Sequence, residues 1–190
     1  VVTSVKRTQR DISMKFILSG IISVLIATFV FFQFGVLGNL THTIIATLIV
    51  FVISFLFTTV AANAIAIVGS NPVSGMTLMT LILSSLVLVS AGLSGTSGMM
   101  AAMIIGGVVC TALSMAGGFI TDLKIGYWLG TTPARQEGWK FLGTAVSAAT
   151  IAGVMMVLNQ TYGFVGENAL VAPQANAMAA VIKPLMEGGA

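Results

Sequence analysis

The sequence predicts an all-α, polytopic transmembrane helix bundle of about five spans followed by a C-terminal half-helix. Three observations predict it. Hydrophobic residues make up 57% of the 190 residues and charged residues 7%, with a mean hydropathy of +1.06. Soluble domains carry about a quarter charged residues, so no polar shell can cover a core here and lipid must do so. From Phe16 to Thr121 not one Asp, Glu, Lys or Arg occurs. Gly, Pro, Asn and Ser punctuate the apolar chain at intervals near the roughly 20 residues that a helix needs to cross the hydrocarbon layer.

Residues 1–13 read as a cytoplasmic basic flank, because Lys6, Arg7, Arg10 and the nearby Lys15 are half of the eight basic residues and such clusters hold a segment inside and lean on anionic lipid. The apolar run that follows is too long for a signal-peptide core and lacks a clear A-x-A site, so no signal peptide is read. A start at Val1 and a stop at "MEGGA" lead us to expect a piece of a longer membrane domain, of which 1–190 is one transmembrane region.

The first span runs from about Met14 to Gly35, and the second from about Thr43 to Val68, where Gly-Ser-Asn-Pro stops it. The third runs from about Gly75 to Gly92. The fourth, from about Gly98 to Thr121, ends where charge returns. Residues 122–137 then read as a charged cytoplasmic loop. The fifth span runs from about Gly138 to Leu158. After the polar "NQTYGFVGEN" comes Ala175 to Met186, too short to cross and interrupted by Lys183 and Pro184, which reads as re-entrant or interfacial. Both basic regions belong inside, which requires an even number of crossings between them, and four spans satisfy that. The outer loops "GVLGNLTH" and "GLSGTS" carry no Lys or Arg. The sequons at Asn39 and Asn159 fall outside as well.

Close approach of membrane helices favours small residues at regular spacing. Ala145, Ala149 and Gly153 form such a ridge on the fifth span, and Ala102 and Gly106 begin one on the fourth. The methionines read as apolar gap-fillers, with no coordination geometry for a metal and no cofactor implied. A lone Cys110 excludes an internal disulfide and a multi-thiolate metal site; His42, the single histidine, reads as interfacial. No basic and aromatic stripe lies outside the membrane flanks, so nucleic acid is not an expected partner. A membrane-embedded enzyme needs a nucleophile and base, or a metal-bound water. With one His, one Cys and no intramembrane carboxylate, another chain would have to complete it. A non-catalytic assembly subunit is the other alternative.

"AANAIAIVGSNPVSGMT", Ala61 to Thr77, sets Asn63, Ser70, Asn71 and Ser74 among apolar residues around Pro72, with Gly69 and Gly75 on either side. One reading is a plain cytoplasmic turn made of ordinary Asn-Pro chemistry. The other is a broken helix lining a polar path, because irregular backbone at membrane depth occurs where it is buried or faces a cavity.

"GSNPVSGMTLMTLIL" with "DLKIGYWLGTTPARQ" resembles the oligopeptide transporter family, in the bacterial branch related to the yellow stripe-like transporters of metal chelates; "VAPQANAMAAVI", Val171 to Ile182, is similar to a later segment of that family. Two departures stand out. Thr121 occupies the place where the family commonly has Gln, and family members are considerably longer than this chain. The resemblance implies secondary active, proton-coupled uptake of small peptides or peptide-like metal chelates in a bacterial inner membrane, with the lipid bilayer and the remainder of the transporter chain as partners. With that family reading, the broken segment is expected to line the substrate path at Asn63, Asn71, Pro72, Ser74, Gly75 and Thr77; Asp122 and Lys124 are expected either as solvated loop charges that enforce topology or as a gating contact, and Pro173 and Gln174 as a candidate path segment near the C-terminus. Two positions apart, Asp122 and Lys124 would point about 200° from each other on a helix and need not pair. A coupling carboxylate would be Glu167, Asp122 or a residue beyond this chain, and we favour the last.

Overall fold

The computed structural model describes residues 7–164 and 172–187. Among them six α-helices and no strand occur: α1 (Met14–Phe32), α2 (Leu40–Val68), α3 (Val73–Ser90), α4 (Gly95–Leu129), α5 (Pro133–Thr161) and α6 (Pro173–Glu187). A 3-10 turn at Arg7–Gln9 precedes α1, and a π-helical turn at Gln33–Leu37 prolongs it. Among the described residues five helical segments are long and apolar enough to cross a membrane, as the composition predicts. The predicted half-helix is also helical and runs on through Pro184. At about 1.5 Å per residue its 15 residues reach about 22 Å, short of the roughly 30 Å hydrocarbon layer.

The charged connection expected over 122–137 takes a different form. α4 continues to Leu129 and α5 begins at Pro133, leaving only 130–132 outside helix. The sequence reading stops the fourth span at the first charge because hydrocarbon penalises charge. Helix itself has no such requirement, and no breaker occurs before Gly130, which turns the chain at φ 69°. Pro133 then stands in the first turn of α5, where its missing N–H loses no hydrogen bond.

The described residues divide into two compact units, one of residues 14–121 with 177–187, and one of residues 7–13 with 122–164 and 172–176. The first holds the apolar core. Phe32, Ala46, Leu81, Leu88, Ile105 and Leu113 are sealed from solvent within it. Ala102 and Gly106 of the predicted α4 ridge are buried, and a Cβ on Gly106 would lie 2.5 Å from Leu81 Cδ2. So α3 lies against bare α4 backbone, the approach that small residues permit. Ile182 and Met186, one turn apart on α6, also enter this core. The second unit is built on the α4–α5 hairpin. There the ridge of Ala145, Ala149 and Gly153 is exposed.

Candidate functional site

α2 ends where the sequence stops it. Gly69 takes the left-handed conformation at φ 74° and gives its N–H to the Ile65 carbonyl at 2.9 Å, a C-terminal cap that a residue with Cβ enters only under strain. Ser70, Asn71 and Pro72 form the exposed connection, and α3 starts at Val73 with Met76 N–H bonded to the Pro72 carbonyl at 3.2 Å. Pro72 supplies no side-chain cap, so the first amides of α3 lack the partner that Ser, Thr, Asp or Asn would provide there. Asn71 Nδ2 donates to the Leu113 carbonyl of α4 at 3.4 Å. Asn63 turns its amide back to the Thr59 carbonyl at 2.9 Å. Ser74 and Gly75 are exposed, whereas Thr77 is buried and donates to the Val73 carbonyl at 2.7 Å. The predicted path residues thus separate into exposed Asn63, Asn71, Pro72, Ser74 and Gly75, and one inward Thr77.

Thr77 opens a buried polar face that the sequence reading missed. Thr80, Ser84 and Ser85 lie on the same face of α3, all fully buried. Thr80 and Ser84 satisfy themselves on the Met76 and Leu81 carbonyls at 2.8 and 3.2 Å, the usual device for hydroxyls in apolar helices. Ser85 Oγ has no hydrogen-bond partner among the described residues. The signal is present as hydroxyls at positions 77, 80 and 84, the three-to-four spacing of one helix face, with Ser85 beside them.

In the other unit, Asp122 forms an ion pair with Lys140 of α5, while Lys124 lies over the rings of Tyr127 and Trp128, 6.0 and 5.6 Å from their centroids. The two charges point to different partners, as their spacing implies. Gln136 Nε2 donates to the Asp122 carbonyl at 3.1 Å, and its carboxamide fills the space where a Gly126 side chain would stand. The basic flank is strapped to this hairpin. Arg7 Nη2 donates to the Gly130 carbonyl at 3.0 Å, Ala134 N–H donates to the Arg10 carbonyl at 3.1 Å, and Ile12 N–H lies 3.2 Å from both Asp11 Oδ1 and Glu137 Oε2. Arg10 thereby caps an amide in the first turn of α5, which Thr132 leaves without a side-chain cap.

The model of the family described as "OPT oligopeptide transporter protein" matches residues 2–190. The chain belongs to this oligopeptide transporter family. A protein of Haemophilus influenzae named "Putative oligopeptide transporter" is 30% identical to it, over 73% of this chain and 25% of the relative. The chain therefore spans about a quarter of the length of that curated relative. No solved structure matches.

Several other residues singled out in the sequence can be placed within this family member. Thr121, the departure from the family's usual Gln, turns its hydroxyl back onto the Gly117 and Gly118 carbonyls, both at 3.0 Å. His42 Nε2 lies 3.2 Å from the Ala91 carbonyl, tying the start of α2 to the end of α3. Asn39 caps α2, its side chain accepting from Thr41 N–H at 3.0 Å. Pro173 and Gln174 open α6 and are exposed. Glu167 lies outside the described residues, as does Val171. Among the described residues no group of His, Cys, Asp and Glu could hold a metal ion.

Proposed function

We propose that this chain is part of a secondary active transporter that takes up small peptides or peptide-like metal chelates, coupled to protons. The observation that carries the reading is the α2–α3 break in a member of an oligopeptide transporter family. Asn63 near the end of α2, Asn71 in the connection and Ser74 in the first turn of α3 are exposed polar residues on otherwise apolar segments. Carboxamides and hydroxyls both donate and accept, which suits a zwitterionic cargo without burying a fixed charge. The C-terminal end of α2 carries partial negative charge and the N-terminal end of α3 partial positive charge, so a break of this kind offers complementary ends to an ammonium and a carboxylate.

On this reading Asn63, Asn71, Pro72, Ser74, Gly75 and Thr77 line the substrate path. Thr77 contributes from inside α3 by holding its first turn. Pro173 and Gln174 form a further path segment. Asp122 acts as a gating contact through Lys140, and Lys124, lying over Tyr127 and Trp128 of its own helix, is the accompanying loop contact. The basic flank and the α4–α5 connection face the cytoplasm of a bacterial inner membrane, in keeping with the positive-inside rule. The coupling carboxylate is supplied by the remainder of the transporter, with Glu167 and Asp122 the candidates within this chain.

Peptide uptake by the full-length transporter carrying Ser74→Ala or Asn71→Ala tests the path. Loss of the Ser74 hydroxyl should lower apparent affinity by about two- to tenfold, the worth of one hydrogen bond to cargo. Unchanged affinity and rate in both variants would remove the segment from the path.

A further inference from the structure

The side chain of Asn71 leaves its own connection and reaches α4. Its Nδ2 lies 3.4 Å from the Leu113 carbonyl oxygen, and a helix carbonyl has a second lone pair to offer beyond its ladder bond. The reach depends on Gly117, one turn further along α4. A Cβ there would stand 2.1 Å from Asn71 Nδ2, 2.8 Å from Asn71 Cγ and 2.6 Å from Ile65 Cδ1, all closer than real Cβ atoms approach. Gly117 is buried although Asn71 as a whole is exposed, so the carboxamide end is the part pressed onto α4. The last turn of α2, through Ile65, and the connection after it, through Asn71, are seated on the same bare patch of backbone.

We propose that Asn71 is a positioning residue: seated on Gly117 and bonded to the Leu113 carbonyl, its carboxamide clasps the α2–α3 break to α4 and so sets where Ser74 and the first turn of α3 are presented. The chemistry is specific to this side chain. An aspartate of the same shape would bring a carboxylate against a carbonyl oxygen, two acceptors with no donor between them. An alanine at 117 would expel the carboxamide. The consequence for transport rests on the function proposed above, whereas the clasp itself does not.

The test uses the full-length transporter in an Ile65→Val background, which removes the Cδ1 atom and leaves Asn71 as the neighbour that a methyl at 117 would meet. The background, Asn71→Ala, Gly117→Ala and the double variant are compared by thermal melting and by initial uptake of dialanine and trialanine. Both single changes open one contact, so each should lower the melting temperature and the double should melt no lower than the worse single, a non-additive cycle. Uptake of both peptides should fall by one common factor, about fivefold, because positioning affects every cargo alike. Additive losses, an Asn71→Ala protein that melts like its background, or losses that differ between the two peptides would overturn the proposal. If Gly117→Ala does not fold, Asn71→Asp replaces it, and a variant that melts like its background would overturn the clasp equally. If the background takes up neither peptide, the transport reading fails while the melting cycle still decides the clasp.

Discussion

The chain turns back on itself at two informative places, between α2 and α3 and between α4 and α5, and it secures them by different chemistry. The first connection contains no charge from Gly69 to Pro72. It is held by a carboxamide on a bare glycine and by Leu81 pressed onto Gly106, contacts that need atoms within a few ångströms. The second is held by an ion pair, a guanidinium on a carbonyl and a carboxylate on an amide. Without water to displace between apolar helices, attraction comes from close packing and from polar groups with no alternative partner. Where charge is present, side chains reach further and tolerate looser fits. The α2–α3 side should therefore fail when a methyl is added or removed, and the α4–α5 side should bend.

The largest effect expected on that contrast is in the packed unit. Leu81 is 1% exposed and its branched end lies over Gly106, so Leu81→Ala should destabilise by about 2–5 kcal/mol, the range for emptying a core site. Gly106→Ala should cost about 1–3 kcal/mol by overpacking. Combining them should recover part of the loss, since the added methyl enters the vacated space. Thermal melting of the four proteins measures this. Additive losses would mean that the two residues do not meet.

A smaller effect is expected at the strap. Glu137→Ala removes one of the two carboxylate oxygens near the Ile12 amide and leaves the Arg7 and Arg10 contacts in place. Exchange of the Ile12 amide hydrogen should quicken by about two- to tenfold, the worth of one hydrogen bond, with melting nearly unchanged. An unaltered exchange rate would show that Asp11 alone holds this amide.

Much of this architecture was legible in the sequence because it follows from local chemistry. Apolar length sets the helices, and Gly69, Asn71 and Pro72 mark the break through their own backbone preferences. What the sequence could not disclose lies in pairs far apart along the chain. Nothing near Asn71 shows that Gly117 will receive it, and Gly117 alone reads as one more small residue. The same holds for Asp122, whose partner Lys140 arrives only once α5 folds back. The extent of α4 is hidden for another reason: charge marks where lipid should end, not where a helix must, and the chain from Asp122 to Leu129 contains no stronger interruption than Gly126. The hydroxyl face of Thr77, Thr80 and Ser84 is readable by its spacing, though the asparagines nearby are more conspicuous.

Asp122→Asn is the mildest change and separates two roles for this charge. Its side chain is 50% exposed and that of Lys140 is 27% exposed, so water screens the pair. Exposed pairs contribute about 0.2–1 kcal/mol, too little to alter melting much. Asparagine keeps the shape and an acceptor oxygen, and the Gln136 bond goes to the Asp122 backbone carbonyl, which the substitution leaves in place. If the pair acts in gating, uptake should slow by a few-fold and the difference should shrink as salt is raised, because added ions already weaken the contact in the parent protein. Wild-type kinetics at low salt would assign Asp122 to holding the hairpin alone.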